Sequence, residues 1–274
     1  HFDGKIKIIT TVYNSFRSFR LIIDCDAGID DALALIILIA AHKQKKIQIE
    51  AITCVNGNTT VDNVVKNVFR TLDVCKATDI PVYQGAYEPL VCIKNAVQDH
   101  YHGIDGFGDV YNTQIDTSKL EHEHAAYALN KIVSKHPNEV NILCIGPLTN
   151  IALAIKMYPQ FVDHVKEFYI MGGNATAQGN ITPQAEFNFY MDPESVHIVF
   201  NTNKNPLRLE QFIYHVNFYV KLLFTSIITI FFIFFIFPPV FIASVIFLWP
   251  HCVLNHIFIC HYFYLPLSFD VIYI

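Results

Sequence analysis

The chain has 274 residues, 24 acidic and 19 basic side chains, and a formal net charge of −5. That length buries a sizeable core and is most simply one domain, and the negative balance, with no basic stripe, excludes an electrostatic footprint for nucleic acid. The seven cysteines (Cys25, Cys54, Cys75, Cys92, Cys144, Cys252, Cys260) are odd in number and scattered, with no C-x-x-C pair, a usage that points to reduced thiols and a cytoplasmic location rather than a disulfide framework.

In chain order, residues 1–20 carry Lys5, Lys7, Arg17 and Arg20 without a continuous apolar run, and read as an N-terminal extension and not a signal peptide. A buried strand is expected at Leu21–Cys25, and Asp24 to Ile29 reads as a tight loop turning at Gly28. Asp30 opens a helix that runs to His42. Further strands are expected at Ile47–Val55, Val140–Ile145 and Val165–Met171. Helices are expected at Val61–Ala77, Leu120–His136, Thr149–Tyr158 and Asp192–Phe200. Strand–helix alternation predicts an α/β fold with a mostly parallel sheet and flanking helices, over a domain of residues 21–211. Such sheets bind ligands outside the carboxyl ends of their strands.

Asp24, Asp26, Asp30 and Asp31 fall at one such end, within eight residues. Packed together they repel and raise one another's pKa, and a hard cation, Ca²⁺ or Mg²⁺, removes the conflict. A plainer reading has Asp30 and Asp31 only complementing the helix dipole, but it leaves Asp24 and Asp26 unexplained. Asp24-x-Asp26 also fits a Mg²⁺-dependent phosphatase with a phosphorylated Asp24, which leaves Asp30 and Asp31 idle.

Residues 212–274 have another character. No Asp, Glu, Lys or Arg occurs from Leu222 to Phe269. Three readings compete: a membrane anchor within residues 212–249, broken by Pro238-Pro239; buried core, which ordinarily shows a polar helix face that this run lacks; and non-native sequence from a wrong splice join, favoured by the Phe/Ile bias. Cys252, His256, Cys260 and His261 have only a loosely zinc-like spacing within that tail. Glu121-His-Glu-His124 reads as a solvated first helical turn.

Downstream of the aspartates come Asn56-Gly-Asn58, His102-Gly-Ile-Asp-Gly-Phe-Gly108, Gly146-Pro-Leu-Thr-Asn-Ile-Ala-Leu153, Met171-Gly-Gly173, and Gly179-Asn-Ile-Thr-Pro-Gln-Ala-Glu-Phe-Asn188 leading to Asp192-Pro-Glu194. In this order and spacing the chain, over residues 20 to 205, resembles the inosine-uridine preferring nucleoside hydrolases. The resemblance implies a Ca²⁺-dependent N-ribohydrolase that splits a ribonucleoside into base and ribose, assembled as a homo-oligomer. It implies Asp26 as calcium ligand and general base, Asp31 as a second ligand, and the Thr149 carbonyl as a third. It also implies Asp30, Asn58, Asn180, Glu186 and Asn188 around the ribose hydroxyls, His102 beside the sugar and leaving base, and Asp24 in support. The residue types suit the chemistry: water needs a base near neutral pH, and an oxocarbenium-like ribosyl cation needs nearby negative charge.

Each residue also has a structural reading. Asn58 suits a left-handed turn, His102 and His100 suit an ordinary loop, Thr149 suits a helix start, and Asn180 and Asn188 suit loop hydrogen bonds. Glu186, among aromatic residues, is hardest to leave idle. Asn58, Asn174 and Asn180 also begin N-x-T sequons, used only in a secreted protein; a ribose role for Asn58 and Asn180 argues against secretion. The resemblance departs in the C-terminal part, where the family places an acidic His followed by a calcium-binding Asp. None of the thirteen histidines here is followed by Asp, so the chain as written is expected to be a poor hydrolase, or an inactive calcium- and riboside-binding relative tethered to a membrane by its tail.

Overall fold

The computed structural model describes residues 19–91, 100–111, 113–174, 177–202 and 212–213. The chain divides into two compact units, His1–Thr225 and Ser226–Ile274, and the described residues all belong to the first. The proposed membrane run, apart from residues 212–213, and the loose Cys/His spacing of the tail lie outside the described residues.

Seven strands, β1 (Phe19–Cys25), β2 (Ile47–Cys54), β3 (Val82–Gln84), β4 (Leu120–Glu121), β5 (Val140–Cys144), β6 (Glu167–Met171) and β7 (Phe212–Ile213), form one sheet in the order β4-β3-β2-β1-β5-β6-β7. Every pairing is parallel, as the alternating pattern predicts. Central β1 is buried from Leu21 to Cys25, and its apolar run Leu21–Ile23 is what a strand covered on both faces requires. After β1 the chain builds outward through β2, β3 and β4, then returns to lay β5 and β6 on the other side. Strand order therefore reverses between β1 and β5, and a crevice opens at such a switch point beyond the carboxyl ends.

Among the described residues seven helices accompany the strands: α1 (Ile29–Lys43), α2 (Val61–Val74), α3 (Ala125–Lys135), α4 (Thr149–Met157), α5 (Phe161–His164), α6 (Phe187–Met191) and α7 (Pro193–Phe200). Leu21 and Ile23 of β1 pack with Leu35 and Ile39 of α1 and with Val64, Val68 and Leu72 of α2 on one face. Ile22 packs with Leu129 of α3, Ile151 of α4, Phe161 of α5 and Val199 of α7 on the other. Alternate residues of one strand thus feed two cores, as the period-2 geometry demands.

One local expectation needs correction. The helix expected from Leu120 begins at Ala125, because Leu120 and Glu121 pair with β3 instead. Glu121 to His124 is therefore a short strand followed by a cap, and His124 Nδ1 accepts from the Ala126 N–H at 3.1 Å. In the aspartate loop Gly28 is extended, with φ −74°, and the positive φ, 32°, belongs to Ala27.

Candidate active site

The aspartate loop leaves β1 between two glycines of neighbouring loops. A Cβ on Gly57 would lie 2.1 Å from Asp26 Oδ2, and one on Gly146 would lie 2.9 Å from Asp26 N and 3.1 Å from Oδ1. Only hydrogen at both positions lets the loops after β2 and β5 close on Asp26. The Asn58 N–H then donates to Asp26 Oδ2 at 2.8 Å. Asn58 is not left-handed, so the turn reading does not explain it.

Gly28 marks the next convergence. Its Cβ would meet Asn58 Nδ2 and His102 Cδ2 at 2.8 Å and Asp30 Oδ1 at 2.9 Å. Three side chains from three segments therefore meet over one glycine, and this close approach is why residue 28 lacks a side chain. His102 is 8% exposed, packs edge-on to Tyr101, and places Nε2 3.2 Å from Asp30 Oδ1. It is no ordinary loop histidine. Its loop turns through left-handed Gly103, Gly106, Gly108 and Asp109 and is pinned to α2 by Asn67 Nδ2, which donates to Asp105 O at 2.8 Å and to Ala27 O at 3.3 Å. Asn67 thereby joins the histidine loop to the aspartate loop.

Asp24 lies fully buried beneath Asp26. Its Oδ1 accepts from Thr53 Oγ1 at 2.5 Å and from Asn150 Nδ2 at 2.8 Å, while Oδ2 is buried without a protein donor. Burial, with a smaller push from Asp26, raises its pKa to about 7 despite those two hydrogen bonds. Around it Cys25, Cys54 and Cys144 are buried free thiols. Hydrogen bonding with Cys54 and burial push Cys25 well up, and burial does the same to Cys144, so both stay protonated.

Asp31 is 2% exposed in the first turn of α1 and Asp26 is 1% exposed in the loop. Thr149, the first residue of α4, is also buried; its hydroxyl donates to Asp192 Oδ2 at 2.6 Å. Glu186 caps α6: its carboxylate accepts from the N–H groups of Asn188, Phe189 and Gly173 at 3.0, 3.1 and 2.9 Å. These donors accommodate a buried carboxylate and give Glu186 a structural task that its sequence context does not reveal. Asn188 Nδ2 donates to Ile145 O and Met171 O at 3.0 and 3.1 Å, tying the ends of β5 and β6. Asn180 Oδ1 accepts from Phe187 N at 2.8 Å. Residues 180–188 are thus held by their own backbone, by Gly173 and by the ends of β5 and β6.

Oxygen donors dominate the loop, which suits a hard cation. Among the described residues no group of three or more His, Cys, Asp or Glu side chains could hold a metal ion. The two buried carboxylates of the loop, Asp26 and Asp31, fall short of the six to eight oxygens that calcium takes.

Sequence reasoning missed Thr53, Asn67, Asn150 and Asp192. Asn150 is fully buried and its amide meets Asp24, Cys54 O and Ala86 N. Asp192-Pro193 carried a readable signal, an N-cap acid before a proline at the first helical position.

A sequence model of the family described as inosine-uridine preferring nucleoside hydrolase matches residues 21–226. The chain belongs to this family. It is 40% identical over 188 residues to an inosine-uridine preferring nucleoside hydrolase of Leishmania major, covering 68% of this chain and 58% of that protein. It is 39% identical over 183 residues to a probable uridine nucleosidase 1 of Oryza sativa subsp. japonica, covering 67% and 55%. A solved inosine-guanosine nucleoside hydrolase superposes with a TM-score of 0.61 at 34% identity, covering 67% of this chain and 56% of that one. The chain thus spans little more than half the length of these relatives. Its α/β architecture is the one those relatives share.

Proposed function

We propose that the crevice beyond β1 binds a ribonucleoside and Ca²⁺ and supports hydrolysis of the N-glycosidic bond to free base and ribose. The observation that carries this reading is the meeting of Asn58, Asp30 and His102 over Gly28, beside a buried Asp26 that two further glycines leave accessible to backbone. Calcium would be held by Asp26, Asp31 and the Thr149 carbonyl, and when bound would supply Lewis-acid activation of water. Asp26 accepts the proton of the attacking water, since it is the carboxylate that the loops approach most closely. Asp30, Asn58, Asn180, Glu186 and Asn188 hold the ribose hydroxyls, and a site built on such hydrogen bonds rejects sugars that lack them. His102, fixed by Asp30, flanks the sugar and the leaving base. Asp24 braces Asp26 from below.

Hydrolysis by this chain is slow in this reading. Neither a His-Asp pair nor a further carboxylate ligand occurs in its sequence where the family pattern calls for them, and losing even indirect support at a metal site costs about 10–100-fold. Cytoplasmic location and homo-oligomeric assembly complete the proposal. The four free thiols among the described residues support the first, and the exposed Ile29, Leu33 and Ile36 along α1 support the second. Among the described residues no helix is long and apolar enough to cross a membrane.

The test is a calcium titration by calorimetry together with ribose release from inosine and uridine. The unsubstituted chain is expected to bind calcium, Asp26→Asn to lose it, and turnover to fall at least about 100-fold below a full-length relative. Turnover equal to the relative's overturns the impaired reading; calcium and riboside binding with no turnover at all favours an inactive binding relative.

A further inference from the structure

Thr149 opens α4, yet its hydroxyl does not cap that helix: the cap position is Leu148 and no side chain serves it. The hydroxyl is committed instead to Asp192 Oδ2 at 2.6 Å, 43 residues along the chain. Asp192 is fully buried. It caps α7 through the Ser195 N–H at 3.0 Å and also accepts from Leu90 N at 3.0 Å. Serine or asparagine caps a helix as well as aspartate does, and a buried carboxylate carries a desolvation cost that a neutral cap avoids. A carboxylate here does more than cap: Oδ1 accepts from Ser195 N while Oδ2 accepts from both Leu90 N and the Thr149 hydroxyl. A 2.6 Å hydroxyl–carboxylate contact has the length of a charge-assisted hydrogen bond, roughly twice as strong as a neutral one.

The turn that leads into Thr149 is itself pressed against the aspartate loop. Ile145 N donates to Asp24 O at 2.9 Å, and Gly146 lies against Asp26 with no room for a Cβ. Loops after β1 and β5 are thus locked together, and the second residue of α4, Asn150, is held by Asp24, Cys54 O and Ala86 N. The Thr149–Asp192 bond anchors the residue before it, the first of the helix, to a different partner, the cap of α7. We propose that Asp192 is a positioning residue, which through the Thr149 hydroxyl fixes the first turn of α4 and so directs the Thr149 carbonyl to the cation. This rests on the calcium reading above and adds to it a residue that touches neither cation nor substrate.

Thr149→Val separates the two parts of the residue: it keeps the carbonyl and the side-chain shape and deletes the hydroxyl. Thr149→Ser restores the hydroxyl. Calcium affinity of the full chain is measured by calorimetry for the unsubstituted protein, both variants, Asp192→Asn and the Thr149→Val/Asp192→Asn pair, with thermal unfolding recorded in the absence of calcium. Thr149→Val and Asp192→Asn are each expected to weaken calcium about tenfold. Thr149→Ser recovers the affinity, and the double variant binds no more weakly than Asp192→Asn alone, the sign of one shared interaction. Should Asp192→Asn fail to fold, the Thr149→Val and Thr149→Ser pair decides the question. Thr149→Val binding calcium as tightly as the unsubstituted chain, even with a lower melting temperature, overturns the positioning role and leaves only a structural bond. An unsubstituted chain that binds no calcium overturns the cation reading itself, and this inference with it.

Discussion

A methyl group on Gly57 would sit 2.1 Å from Asp26 Oδ2 and 2.8 Å from its Cβ. No side-chain rotation clears the second contact, so Gly57→Ala must move the loop or the carboxylate. Either motion breaks the Asn58 N–H bond to Asp26. Gly57→Ala is expected to cost about 1–3 kcal/mol in urea unfolding, the usual penalty of overpacking, and to weaken calcium about tenfold. Gly108→Ala is the control. Nothing lies within 4 Å of its Cβ, but its φ of +78° is left-handed. That substitution should cost about 1–2 kcal/mol of backbone strain and leave calcium affinity alone. Equal losses of affinity in both variants would show that the crevice responds to general destabilisation and not to contact with Asp26.

His124 poses the corresponding question for an element. Its Nδ1 accepts from the Ala126 N–H and caps α3, a task open only to the neutral ring. Burial lowers its pKa from 6.5, against a raising hydrogen bond with the Gly85 carbonyl. A histidine whose folded-state pKa is depressed contributes stability that is present above the unfolded value, about 6.5, and lost as pH falls through the folded value. His124→Asn, which caps at every pH, should therefore lose less stability than the unsubstituted chain between about pH 7.5 and about pH 5.5. His124→Ala should cost about 1 kcal/mol at the higher pH, and urea midpoints at the two pH values check both. The same helix shows what a sequence conveys about elements. Val61, Val64, Val65, Val68 and Leu72 stamp a helical period on α2, and β1 is long enough to read as a strand. The three residues of β3 and the two of β4 are too short for any period to register. Leu120 and Glu121 consequently merge with the helical run behind them, and only pairing with β3 separates them.

At the scale of the whole molecule the crevice is a property of strand order. The reversal between β1 and β5 brings the ends of β1, β2 and β5 side by side and lets helices from both faces reach them. The aspartates, lying on one loop, were legible as a site because their spacing is local. Asn150 and Asp192 were not, because each acts on segments more than 40 residues away. Asn150 binds three segments at once. From the start of α4 it donates to Asp24 Oδ1 at 2.8 Å on β1 and to Cys54 O at 3.0 Å on β2. It accepts from Ala86 N at 2.9 Å beyond β3, and Gly85 leaves it room, since a Cβ there would lie 2.1 Å from its Oδ1. One amide thus joins three strand ends to a helix that packs on the opposite face from α1. Asn150→Leu keeps similar bulk, so the lost hydrogen bonds, not a cavity, set its cost. Asp24 Oδ1 keeps Thr53, but the buried Cys54 O and Ala86 N lose this partner, and at about 1–3 kcal/mol each they predict a loss of at least about 2 kcal/mol. The loss should be local before it is global: the Ala86 N–H should exchange with deuterium far faster in the variant, while the amides of α2, whose packing on β1 and β2 does not involve Asn150, keep their protection relative to global unfolding. An Ala86 amide that exchanges no faster than the rest of the sheet would show that the strand ends are held by the ladder alone, and that Asn150 braces nothing.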